Sequence, residues 1–171
     1  TTRERVVRII AAFGASAALI AVFALYQYLT GDFISNPLWA SEAGRRAVSF
    51  FEYPNAVGLY AGPIALLLVG VFAMLVARGK TLFEKRRHAA AWFVGIILCL
   101  IAIYCARSEG AMLGVMAGLL VFGLYANKRL RLVTIALAIV GGIGLSVSSA
   151  ARNYAADTIL LHSFSGQVRR T

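Results

Sequence analysis

Cys105-Ala106-Arg107-Ser108-Glu109-Gly110-Ala111 joins two long apolar runs, about 89–106 and 110–127. Only Arg107, Ser108 and Glu109 separate them. So short a connection predicts two antiparallel helices. Each run approaches the ~20 residues that cross a ~30 Å hydrocarbon core. The stretch therefore predicts a membrane hairpin with a guanidinium and a carboxylate at its turn. Ionisable groups at the edge of the hydrocarbon are costly and mark candidate functional sites. Two readings stay open at this point. Arg107 and Glu109 either pair with each other and wet the turn, or they serve a site.

Composition extends the membrane reading to the whole chain. The 171 residues are 60% hydrophobic with mean hydropathy +0.79, yet carry a net charge of +10. A soluble domain of this length does not bury so much apolar surface, so the expected fold is an all-α integral membrane helix bundle. The cations fall in clusters between apolar runs, which is the pattern of membrane loops. That pattern predicts a lipid bilayer as partner and no nucleic acid. Cys99 and Cys105 are six apart inside one apolar run. They read as buried free thiols, with no disulfide and no metal. A start at Thr1 without Met and a stop inside a polar segment read as a piece of a longer chain.

Five spans are expected, at about 6–29, 55–77, 89–106, 110–127 and 132–150, forming one membrane domain. Residues 151–171 are expected to begin a large external loop. Between the first two spans lies a polar stretch in which Asn36-Pro37 marks a turn. Trp39, Phe50, Phe51 and Tyr53 give it enough apolar surface to lie on the membrane, and Arg45 and Arg46 sit in its middle. In the second span, Gly58 and Gly62 present one small face, and Pro63 frees a carbonyl one turn earlier, which predicts a kink. Gly110, Gly114 and Gly118 repeat every four residues in the fourth span. That spacing predicts tight packing on the glycine face, and disruption by Gly114→Leu.

Five crossings place the N-terminus and the stretches 78–88 and 128–131 on one side. That side holds 11 of the 17 cations and so is expected to be cytoplasmic. Arg45, Arg46, Arg107, Arg152, Arg169 and Arg170 lie on the other side. All of these are Arg, a residue whose planar fork suits phosphate.

Three stretches carry a family resemblance. Phe51-Glu52-Tyr53-Pro54-Asn55-Ala56-Val57-Gly58 resembles the Pro-Asn-x-x-Gly helix opening of the O-antigen ligase and polymerase family. Arg107-Ser108-Glu109-Gly110-Ala111-Met112-Leu113-Gly114 is similar to its Ser-Arg-Gly-Ala-x-x-Gly hairpin. Ser165-Gly166-Gln167-Val168-Arg169-Arg170 resembles the Ser-Gly-x-x-Arg start of its large periplasmic loop. The motifs occur in the family's order. One departure stands out: Glu109 occupies the place of the family's hairpin arginine, and Arg107 lies two residues earlier. Either Arg107 takes over that arginine's task, or Glu109 is used differently.

The resemblance implies a glycosyltransferase of a bacterial inner membrane. It would move a glycan from an undecaprenyl-pyrophosphate carrier to a lipid-linked acceptor on the periplasmic face, with neither metal nor other cofactor. Arg107, Arg169 and Arg170 would hold the lipid pyrophosphate, and Glu109 is a candidate for activating the acceptor hydroxyl. His88 and His162 receive no role. The alternative is a secondary transporter or flippase for an anionic lipid-linked substrate, which would need polar groups near the bilayer midplane.

Overall fold

A computed structural model describes residues 2–77, 82–125, 128, 131–132 and 134–136. The chain divides into two units, Thr1–Met116 and Ala117–Thr171. The fold is an all-α membrane helix bundle. Its elements are α1 (Thr2–Thr30), α2 (Pro37–Ala40), a 3-10 turn (Glu42–Gly44), α3 (Pro54–Ala77), α4 (Leu82–Ala106) and α5 (Glu109–Tyr125). The first unit holds all of these up to the first half of α5.

Three helices are long and apolar enough to cross a membrane, over Glu4–Thr30, Pro54–Leu75 and Ala89–Ala106, and α5 is a shorter apolar helix. Large apolar side chains point outward along all four, among them Leu19, Leu59, Phe93 and Met116. In water such a surface would drive aggregation; against lipid it carries no penalty. The expected fifth span, 132–150, lies mostly outside the described residues, and 151–171 lies wholly outside them.

One expected boundary moves. Composition places the basic stretch 78–88 in a loop, but α4 begins at Leu82 and is helical through His88. Glu, Lys and Arg are good helix formers, so a span can continue as helix past the hydrocarbon edge. The stretch between α1 and α3 is also more ordered than a polar linker. Asn36 caps α2, its Oδ1 accepting from the Leu38 N–H at 3.0 Å, and Pro37 takes the first helical position.

Helix α4 packs along both α1 and α3. The buried seam is built mainly from alanine: Ala17, Ala21 and Ala24 on α1, Ala61 and Ala65 on α3, Ala102 and Ala106 on α4. Without a hydrophobic force between helices in lipid, close backbone approach supplies the packing energy, and small residues permit it. Cys99 and Cys105 are buried free thiols of α4. Helix α3 is continuous through Pro63.

The glycine expectation is corrected at two of its three positions, Gly110 and Gly114. A Cβ at Gly110 or Gly114 would meet nothing within 4 Å among the described residues. The close crossing uses a glycine of α3 instead. A Cβ at Gly58 would come within 2.6 Å of the Ala111 Cβ and the Ser108 Oγ, and one at Gly62 within 3.5 Å of Val115. One glycine is enough at a crossing, so α5 presents Ala111 and Val115 there and turns Gly110 and Gly114 away.

Candidate functional site

The ends of α1 and α4 and the starts of α3 and α5 meet at one end of the bundle, where residues 31–53 fold over them. Helix ends leave backbone carbonyls without intrahelical partners. Two adjacent arginines of the loop satisfy those carbonyls on two different helices. Arg45 donates from Nη1 to the Tyr28 and Leu29 carbonyls at 3.1 and 2.9 Å, closing α1. Its guanidinium lies over Gly31, whose φ of +84° favours glycine and where an added Cβ would come within 3.0 Å of Arg45 Nη2. Arg46 donates from Nε to the Ala106 carbonyl at 3.1 Å and from Nη2 to the Arg107 carbonyl at 3.3 Å, closing α4. The same Nη2 donates to Asn55 Oδ1 at 3.0 Å, in the first turn of α3. Cations at helix C-termini are also favoured by the helix dipole.

The turn between α4 and α5 is a Schellman motif. The Ser108 N–H donates to the Ile103 carbonyl and the Arg107 N–H to the Tyr104 carbonyl. The position that this motif usually gives to glycine is Arg107, at φ 46°. A left-handed conformation costs a residue with a Cβ about 1–2 kcal/mol, and such strain gathers at functional positions. The Arg107 side chain is exposed, Ser108 is buried, and Glu109 is half-buried at the first turn of α5. Among the described residues no ion pair joins Arg107 to Glu109. Both act on Arg46 instead. Burial holds its guanidinium below the ordinary value; the nearby Glu109 charge opposes this and Arg107 adds to it. Arginine stays protonated throughout. Arg169 and Arg170 lie outside the described residues.

The starts of α3 and α5 therefore lie side by side, Gly58 against Ser108, next to two guanidinium groups. Free N–H groups and the positive dipole end make a helix start favourable for an anion. Arg46 offers a fixed planar donor whose Nη1 carries none of these bonds, and Arg107 offers an exposed one. A diphosphate, which spreads charge over several oxygens, matches such a pair.

Sequence reading missed Arg46 as the hub and gave Asn55 no role beyond a motif. It also missed Gln27, which is fully buried one turn before the end of α1. Gln27 Oε1 accepts from the Val48 and Ser49 N–H groups at 3.0 and 2.6 Å. Its Nε2 donates to the Phe33 and Ser49 carbonyls at 3.0 and 3.3 Å. The signal was present: Gln27 is the one amide in the first apolar run. A buried amide is tolerated only when its donors and acceptors are met.

No protein-family model, curated protein or solved structure matches this chain.

Proposed function

We propose that this chain is the membrane part of a metal-independent glycosyltransferase. It moves a glycan from an undecaprenyl-pyrophosphate carrier to a lipid-linked acceptor at the periplasmic face of a bacterial inner membrane, in the building of cell-surface polysaccharide. One observation carries the reading: Arg46 and Arg107 stand beside two adjacent helix starts at one end of the bundle. A lipid diphosphate is already a good leaving group, so the protein has mainly to hold it and to stabilise the charge that grows as the glycosyl bond breaks. A guanidinium fixed in a half-buried place, Arg46, with the exposed one of Arg107 beside it, can do this. Arg169 and Arg170 would join them from the loop that follows the membrane segment, and Glu109 would stand near the acceptor hydroxyl. The N-terminus of the chain is then cytoplasmic.

A transporter is the less supported reading. Two of the three buried polar side chains of the described residues, Gln27 and Ser108, lie near the loop end of the bundle, and the polar groups deeper along the spans, Ser49 on the Ile20 carbonyl and Ser16 on Tyr60, are already bonded to the protein. The test is glycan transfer in cells whose only copy of the full-length protein carries Arg107→Lys or Arg46→Lys. Lysine keeps the charge and loses the fork, so transfer should fall by at least ~10-fold at normal expression. Unchanged transfer in both would sink the reading.

A further inference from the structure

Beside this site lies an open pocket of about 800 Å³, formed by the loop between α1 and α3. We infer that it is a binding subsite for a neutral pyranose ring, the sugar that adjoins the diphosphate held at Arg46 and Arg107. The inference rests on the proposed function for its choice of sugar source; the chemistry of the pocket's lining does not depend on it.

Among the described residues, three other than glycine have positive φ, and two of them, Phe33 at 59° and Ser49 at 51°, line this cavity. Both are pinned by the same buried side chain. Gln27 binds the Phe33 carbonyl, the Ser49 N–H and the Ser49 carbonyl, and Ser49 Oγ donates to the Ile20 carbonyl at 3.0 Å. A buried amide thus holds two strained walls in place. Strain maintained in this way is the mark of a preformed site rather than of a loosely packed loop.

The lining then selects the ligand. It contains one carboxylate, Glu52, and no cation. That disfavours an anion and leaves the diphosphate to the arginines. Trp39 and Tyr53 present rings 6.1 Å apart and inclined at 69°, two apolar faces of different orientation. Such faces suit the C–H sides of a sugar, while Glu52 and the Asn36 amide can meet its hydroxyls. The volume far exceeds that of a single ammonium group, and the carboxylate disfavours an acyl chain. Position agrees as well. Tyr53 is two residues from Asn55, the partner of Arg46, so chain length alone keeps their Cα atoms within ~7 Å. A sugar in the pocket would have its linking phosphate beside Arg46.

The experiment is saturation-transfer NMR on the full-length protein in lipid nanodiscs. The probes are the methyl glycosides of glucose, galactose and N-acetylglucosamine, with glycerophosphoethanolamine as a lipid-headgroup mimic. At least one glycoside should bind saturably. Glu52→Gln and Trp39→Leu should each weaken it by about tenfold, the scale of one lost aromatic or charged hydrogen-bond contact. Gly114→Leu, which faces open space, should leave it unchanged. Thermal unfolding of each variant checks that the fold persists. Absence of saturable binding, or equal binding in the pocket variants, would overturn the subsite. Binding of the headgroup mimic in place of the glycosides, weakened by the same variants, would overturn it too and make the cavity a lipid site. Because no step requires glycan transfer, a failure here leaves the arginine reading to its own assay.

Discussion

Arg46 reaches from the loop to the carbonyl of Ala106, sixty residues further along the chain, and closes the end of α4 with a 3.1 Å bond. The same guanidinium ties the first turn of α3 through Asn55. It is therefore both a structural tie and a wall of the candidate diphosphate site. Arg46→Ala should cost about 2–4 kcal/mol, since two carbonyls and an amide lose a charged donor in a half-buried place. Thermal unfolding in detergent measures it. A loss below ~0.5 kcal/mol would mean that water replaces the guanidinium without penalty.

Gln27→Leu removes the side chain that satisfies the Val48 and Ser49 N–H groups and the Phe33 and Ser49 carbonyls. Leaving several buried backbone groups unpaired should cost about 3–5 kcal/mol. The damage should be local at first. Amide exchange at 48–49 should accelerate before that in the α4 seam, because the loop loses its anchor while the alanine packing stays. Uniform acceleration along the chain would show that loop and bundle open as one unit.

At Gly58 any side chain enters the space of Ser108 and Ala111, so Gly58→Val should lower stability by about 1–3 kcal/mol, as overpacking does. Gly114→Leu should be within ~0.5 kcal/mol of the parent, since a Cβ there meets nothing. Paired unfolding measurements on the two variants check the contrast. Equal losses would put the close crossing elsewhere.

These contrasts show what was legible in the sequence. Run length and hydropathy gave the membrane bundle, because spans are set by the thickness of hydrocarbon, a quantity any residue count can meet. The Gly58 and Gly62 face was also legible from spacing. The choice between two glycine stripes was not, since periodicity marks a face without naming its neighbour. The same gap hid the site. Arg45 and Arg46 read as loop charges because their partners are backbone carbonyls, which every residue has and no motif records. The α4 start was nearer to hand: Thr81-Leu82-Phe83-Glu84 has capping-box spacing, a start signal that the basic composition of 78–88 obscured.

Charge distribution makes a prediction of its own. With 11 of 17 cations on the side of the N-terminus and 78–88, a cysteine at Glu84 in a cysteine-free full-length protein should react with an impermeant maleimide only after the membrane is permeabilised. Labelling from outside intact cells would reverse the orientation and remove the periplasmic site.

Arg107 separates stability from function most sharply. Its φ of 46° is a conformation that glycine adopts freely, and the Schellman bonds around it are made by backbone alone. Arg107→Gly keeps those bonds and the carbonyl that accepts from Arg46. Relief of strain favours the variant by about 1–2 kcal/mol, while the extra freedom of glycine in the unfolded chain returns up to ~1 kcal/mol. The variant should therefore unfold at the same temperature as the parent or a few degrees higher. If the side chain is there to hold a diphosphate, the same variant should lose glycan transfer by ~100-fold or more, with Arg107→Lys falling between the two. Stability and transfer would then move in opposite directions, which a purely architectural role does not produce. A variant that is stable and fully active would leave Arg107 as a solvated turn residue. One that unfolds would show that the exposed guanidinium makes a structural contact in the complete protein.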